Sequence, residues 1–292
     1  MLSILIPTYN YDCTCLVNDL QRQAQQAGID YEIIVADDAS SIGKEKNREI
    51  NLLPHCRLIE LDENIGRARI RNLLASEAQY TWLLFMDADA QVISPTYIDN
   101  YLNAMTEGVD VICGGLCHAD SLPSPDVSLR YAYEKRADKH RAACYRAEHP
   151  YERFTPFNFA IRRATFLAIQ FDGSITEYGH EDTLFGIELQ QRAVPLCHID
   201  NMLQHMGLEP NEVFLEKTKA ALRNLASMEE IMHGHSALIR AYHLLQRLHL
   251  THLLAHIYTR YGASMVQRLC IPHPQLWLLT LYKLAYYCQI KK

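Results

Sequence analysis

The 292-residue sequence predicts an α/β fold with a mostly parallel central sheet, extended by a run of helices at its C-terminal end. Three observations predict it. Short, unbroken apolar runs recur through the first third, each closed by polar residues; amphipathic stretches separate them; and from Asn211 onward the helical pattern is continuous.

The first run, Leu2–Ile6, ends at Pro7, and Tyr31–Ala36 ends at Asp37-Asp38. Arg57–Leu61 and Thr81–Met86 follow, the last ended by Asp87. Runs without period-two alternation suit strands buried on both faces of a parallel sheet. Between them, helices are expected near Cys13–Ala27, Gly66–Ala78 and, after Ser94-Pro95, Thr96–Met105. Right-handed crossovers bring the carboxyl ends of such strands to one edge, where open α/β sheets bind ligands. The clusters that follow the runs are Pro7-Thr8-Tyr9-Asn10, Asp37-Asp38, Asp62-Glu63-Asn64 and Asp87-Ala88-Asp89. They are expected to converge on that edge, with carboxylates after the second, third and fourth runs.

From Val109 to about Pro156 the pattern weakens into a polar stretch rich in Tyr and Arg. Between residues 130 and 163, nine lysines and arginines outnumber four acids, which reads either as a segment meeting anionic ligands or as a solvated helix face. Further on, helices are expected over Asn211–Met232, His235–Leu250, His252–Gln267 and after Pro274. The expected organisation is one domain over 1–210, with halves meeting near 108, and a helical region over 211–292.

Hydrophobic residues at 49% and charged residues at 21% describe an ordered globular chain. A net charge of -6 argues against a general nucleic-acid binder. The opening Met1-Leu2-Ser3-Ile4-Leu5-Ile6-Pro7 lacks a basic region and is too short in apolar length for a signal peptide. No stretch reaches the roughly 18 to 20 apolar residues of a membrane span. Nine cysteines are an odd number in a chain too large to need disulfide staples, and neither Cys13/Cys15 nor Cys113/Cys117 completes a zinc pattern. They are expected to be reduced, mostly buried thiols in a cytoplasmic protein.

Asp87-Ala88-Asp89 carries the first chemical signal. Two carboxylates one residue apart at a strand end can share a hard cation, and Mg²⁺ or Mn²⁺ takes one or two carboxylates together with substrate phosphates. Asp-x-Asp alone is common; its position after a buried strand gives it weight.

Five segments together carry a family resemblance: Ser3-Ile4-Leu5-Ile6-Pro7-Thr8-Tyr9-Asn10, Glu32-Ile33-Ile34-Val35-Ala36-Asp37-Asp38-Ala39-Ser40, Asn64-Ile65-Gly66 leading to Arg71-Asn72, Phe85-Met86-Asp87-Ala88-Asp89, and Gly179-His180-Glu181-Asp182. In this order and spacing the chain resembles family 2 glycosyltransferases with the GT-A fold, over roughly residues 1 to 220. The resemblance implies a nucleotide-binding half to about 108, an acceptor-side half over 109–210, and a nucleotide-sugar donor. It further implies that Pro7, Thr8, Tyr9 and Asp38 hold the nucleoside. Asp38 would accept the N3–H of uracil, its alternative being a helix cap. Arg71, in the helix opened by Gly66, is expected to neutralise phosphate, with Arg67 and Arg69 on other faces. Asp87, Ala88 and Asp89 would hold the cation and diphosphate, and Asp182 would be the base that takes the acceptor proton, with Glu181 orienting acceptor or sugar. Helix capping is the plain alternative for both acids. A histidine ligand is implied downstream: His198 and His205 are the candidates, and His205 is preferred because it precedes the helical tail. Asn158 either lines the donor site or is a buried structural amide.

The tail departs from the shared core. From Ile231 to Lys292 there is no Asp or Glu, while seven lysines and arginines and seven histidines occur. Leu276–Tyr287 is apolar and aromatic but too short to span. Peripheral contact with the inner face of a membrane is expected, serving a lipid-linked acceptor; a packed cap or a dimer interface reads the same residues differently. The expected function is inverting transfer from a UDP-linked sugar to a hydroxyl of a glycan or lipid-linked glycan. A silent nucleotide-sugar or glycan binder is the alternative. A nucleotidyltransferase or dehydrogenase would want a Gly-rich loop where Pro7-Thr8-Tyr9-Asn10 stands.

Overall fold

A computed structural model describes residues 1–175 and 179–292; Tyr178, which immediately precedes the Gly179-His180-Glu181-Asp182 segment, lies outside the described residues. The strands are β1 (Leu2–Thr8), β2 (Tyr31–Asp37), β3 (Cys56–Glu60), β4 (Trp82–Met86), β5 (Ala90–Val92), β6 (Val111–Cys113), β7 (Leu116–Cys117), β8 (Asn158–Arg162), β9 (Leu196–His198) and β10 (Leu203–His205). Seven of them form one sheet in the order β3-β2-β1-β4-β8-β6-β9, and β5-β10-β7 form a second. β1 pairs in parallel with β2 and β4, and β2 with β3, so the polar clusters after all four strands do share an edge. β8 runs antiparallel between β4 and β6, with Asn158 opposite Met86 at that same edge.

The missing alternation in the apolar runs has its cause in two cores, one on each face. Leu2, Ile4 and Ile6 join Leu16, Val17 and Leu20 of the helix Thr14–Gln26 on one side. Leu5, Ile34, Leu83 and Phe85 join Ile70 and Leu74 of the helix Arg67–Glu77 on the other. With both faces covered, the central strands must be mostly apolar, and the buried Ser3 and Glu32 satisfy each other, the Ser3 hydroxyl donating to Glu32 Oε1 at 2.6 Å. β3 departs from the expectation of full burial: it is the sheet's edge strand and only partly covered.

Two compact units emerge. The first comprises Met1–His118, 138–175 and Glu181–Gly207 and holds both sheets; the second comprises Ala119–Ala137, 179–180 and Leu208–Lys292. In the second unit, the helix Leu276–Ile290 packs on Thr251–Leu269 and Asn211–Ser227. Leu278, Leu279 and Tyr282 bury themselves against Phe214, Leu215, Met265 and Leu269. Much of the apolar run at the end of the chain is therefore packed into the core of this unit, while Trp277 is exposed. Among the described residues, no helix is long and apolar enough to cross a membrane.

All nine cysteines are free, but only Cys13, Cys113 and Cys288 are buried, fewer than expected; Cys15 and Cys144 are exposed. Burial pushes the Cys13 and Cys113 thiols up to about 12, which keeps them protonated and inert.

Candidate functional site

The Asp87–Ala90 segment is a turn in which the Ala90 N–H donates to the Asp87 carbonyl at 3.2 Å. Ala88 lies in the core while both carboxylates are half-exposed. Asp87 is held by Arg71, whose Nη2 lies 2.5 Å from Oδ1. The Arg71 guanidinium is buried, lies 5.7 Å over the Phe171 ring and donates to the Arg67 carbonyl at 3.2 Å. Its first partner is thus the Asp87 carboxylate. Arg67, four residues earlier, shares its helical face and is one of the charges acting on Asp89, so the expectation that it points elsewhere is overturned. The i, i+4 spacing is the signal for this.

The second sheet explains the histidine. β10 pairs antiparallel with β5, placing His205 opposite Ala90. His205 Nε2 then lies 3.2 Å from Asp89 Oδ2, and the Met206 N–H donates to the Asp89 carbonyl at 2.8 Å. Phe157 and His118 flank the His205 ring at 5.3 and 5.7 Å between centroids. A Cβ on Gly207 would overlap the Asp89 carboxylate, so this close approach requires glycine. Burial, the largest influence, would raise the Asp89 carboxyl; the hydrogen bond and charge of His205, with the Arg67 guanidinium, outweigh it and hold the pKa below the ordinary value. Among the described residues, Asp89 Oδ1 is buried with no hydrogen-bond partner. An orphaned carboxylate oxygen beside an imidazole is a donor set that suits a divalent cation.

His198, the other histidine candidate, is committed elsewhere. Its Nδ1 accepts from Arg146 Nη1 at 2.7 Å, so Nε2 carries the proton and donates to the Pro150 carbonyl at 3.0 Å. The buried Arg146 also donates to the carbonyls of Arg141, Cys113, Gly114 and Ile199. Burial, with the neighbouring Arg146 charge, lowers the His198 pKa from 6.5 to about 4. Because the folded chain refuses a proton that the unfolded chain accepts, stability is complete above pH 6.5 and falls as pH drops towards about 4. Discounted for partial exposure, the effect is about 2 kcal/mol. His198→Gln should flatten this limb of a thermal-unfolding pH series; parallel curves for wild type and variant through that window would refute the assignment.

Asn158 resolves as the structural amide. Fully buried, its Oδ1 accepts from Tyr97 and Tyr101 hydroxyls at 2.6 and 2.7 Å. Its Nδ2 donates to the Gly115 and Asn201 carbonyls at 2.7 and 2.9 Å. The basic excess around it is largely consumed internally, as with Arg141 on Asp138 and Arg162 on Asp110.

At the β1 end, Pro7 sits opposite Ala36 of β2, Thr8 is buried with its hydroxyl donating to the Tyr11 carbonyl at 3.0 Å, and Tyr9 is exposed. Asn10 ties the first loop to the second: its Oδ1 accepts from the Ser41 and Ile42 N–H groups. Asp38 accepts from the Ile65 and Gly66 N–H groups at 2.7 and 3.0 Å. It ties down the turn just before the helix Arg67–Glu77, which itself has no side-chain cap, and it is Asp37 Oδ1 that takes the Ser40 N–H. Each Asp38 oxygen keeps a second lone pair for a further donor. Gly66 at φ 84° makes the turn that presents those two N–H groups.

Glu181 and Asp182 open the helix Glu181–Gln191. Asp182 Oδ1 accepts from the Thr183 N–H at 2.7 Å. Phe185, one turn on from Glu181 and on its face, stacks on Phe171 at 4.3 Å. Since Phe171 is the ring beneath Arg71, the acidic turn and the Asp87 clamp are built on one aromatic stack.

Comparison with known proteins places this geometry. Residues 3–170 match the family described as glycosyl transferase family 2. Chondroitin synthase of Escherichia coli is 24% identical over 261 residues, covering 77% of this chain and 37% of that relative. This chain thus spans well under half of that relative's length. Among solved structures, mannosyltransferase PcManGT from Pyrobaculum calidifontis, in complex with GDP-Man and Mn²⁺, superposes with a TM-score of 0.58 at 14% identity, covering 98% of this chain and 84% of that one. S. aureus TarS 1-349 in complex with UDP gives 0.51 at 17%, covering 99% and 90%. At such identities the likeness speaks for the fold, which is of the GT-A type.

Proposed function

The chain belongs to glycosyl transferase family 2, and on that basis we propose that it transfers a sugar, with inversion, from a UDP-linked donor to a hydroxyl of a glycan or lipid-linked glycan. The observation that carries the metal-dependent reading is the Asp89–His205 pair beside the Arg71–Asp87 clamp at the convergent strand ends.

In this reading Tyr9 lies on the base, Thr8 shapes the nucleoside pocket, and Asp38 accepts the uracil N3–H on a lone pair left by its backbone bonds. Gly66 supplies the turn in front of Asp38, and Pro7, near the end of β1, leads the chain into Thr8 and Tyr9. Asp87, Asp89 and His205 would hold Mn²⁺ or Mg²⁺, with Ala88 anchoring the turn in the core. Such a cation, when bound, stabilises the charge of a leaving diphosphate. Arg71 acts through Asp87, holding its carboxylate in one orientation. Asp182 takes the proton of the attacking hydroxyl, and Glu181 orients the acceptor or sugar.

A thermal-shift screen of nucleoside diphosphate sugars with and without Mn²⁺ tests this. Ligand at a hundredfold over Kd stabilises by about 2.7 kcal/mol, which in a chain of this size is about 5 to 10 °C. The metal-dependent part of the shift should vanish in Asp89→Asn and His205→Ala. If no nucleoside diphosphate gives a Mn²⁺-dependent shift, the reading fails.

A further inference from the structure

The second unit carries a surface that the transfer chemistry leaves unused. The helices Ala237–Arg247 and Thr251–Leu269 meet at a corner of residues 248–250, where His249 has φ 57°. Around it Leu244, Leu248, Leu250 and Leu253 are 58, 56, 37 and 53% exposed. These leucines are not a core face laid bare: Ile239, Tyr242 and Ala255 of the same helices are buried and already fill that role. Four large apolar side chains are thus exposed within ten residues, a concentration that marks an interaction surface.

The charge around the patch indicates what covers it. Arg240 and Arg247 are exposed beside it, and among the described residues neither has an acidic partner. No Asp or Glu occurs from Ile231 to Lys292. A two-fold partner copy would set these arginines against themselves. An apolar corner rimmed by cations fits a surface that is itself apolar below and anionic above.

We propose that the Leu244–Leu253 corner is a peripheral docking surface for an anionic lipid bilayer. The leucines enter the acyl boundary, and Arg240 and Arg247 sit at headgroup level. The inference goes beyond the transfer reading and stands or falls separately, since vesicle binding needs neither donor nor metal.

The test is co-sedimentation of the full chain with phosphatidylcholine vesicles and with vesicles that also contain phosphatidylglycerol. Partition onto the anionic vesicles should exceed that onto the neutral ones by about tenfold or more and weaken as salt is raised. Leu248→Glu with Leu253→Glu should abolish it, and Arg240→Gln with Arg247→Gln should remove the preference for anionic lipid. All four positions are exposed, so an unchanged thermal midpoint certifies the fold. Absence of binding by the wild type, or binding that survives the paired glutamates, overturns the proposal. So does sedimentation velocity showing a dimer, dissolved by the glutamates, that ignores vesicles.

Discussion

Asp182→Asn should lower acceptor-dependent turnover by about 10²- to 10⁴-fold, the range expected when a general base is removed. Asparagine keeps the acceptor oxygen that bonds the Thr183 N–H, so the start of the helix Glu181–Gln191 survives the change. What is lost is the ability to hold a proton. The expected signature is therefore a fall in kcat with little change in donor KM, in Mn²⁺-dependent thermal shift, or in stability. An acceptor hit from a glycan array supplies the assay. Retained turnover in Asp182→Asn would reassign the base, and a collapse of donor binding would make Asp182 part of the donor site instead. Glu181 provides the internal comparison: as the residue that orients acceptor or sugar in this reading, its change to glutamine (Glu181→Gln) should raise KM more than it lowers kcat.

The other large effect is structural. Asn158→Leu should destabilise the first unit by about 4 kcal/mol or more, because four buried groups each lose a hydrogen bond at once, at about 1 kcal/mol or more apiece. The groups are the Tyr97 and Tyr101 hydroxyls and the Gly115 and Asn201 carbonyls, all of which meet on this one amide. A loss of that size is a large part of a typical folding free energy of about 5 to 15 kcal/mol. The thermal midpoint should drop by at least about 8 °C. A drop of only a degree or two would mean that the tyrosines re-pair and that Asn158 is not the tie between β8 and the helix Tyr97–Ala104.

Much of the site is legible in the chain as a linear pattern. The strand ends at Thr8, Asp37 and Met86 and the helix Arg67–Glu77 lie within two residues of their sequence expectations, because buried strands and amphipathic helices write their period into the chain. Asp87 and Asp89 are legible for the same reason: a carboxylate pair directly after an apolar run is a local pattern. Of the two histidines it is His205 that lies beside Asp89, and the cause of that placement cannot be read locally. It depends on β10 pairing with β5, a contact between residues more than a hundred positions apart.

Hydrophobic period and chain order suffice for the architecture, since they decide which segments become strands, which become helices, and which ends share an edge. They also suffice for the inventory of chemistry-bearing residues at that edge. How those residues are used is a property of the folded chain alone. Arg71 is turned onto Asp87, Asp38 onto two backbone N–H groups, Asn158 onto two tyrosines, and the apolar terminal helix into a core, leaving the leucines of the preceding corner outside. A polar or apolar side chain commits itself to whichever partner the fold brings within about 3 to 4 Å, and that choice is made by long-range packing, which leaves no period in the sequence.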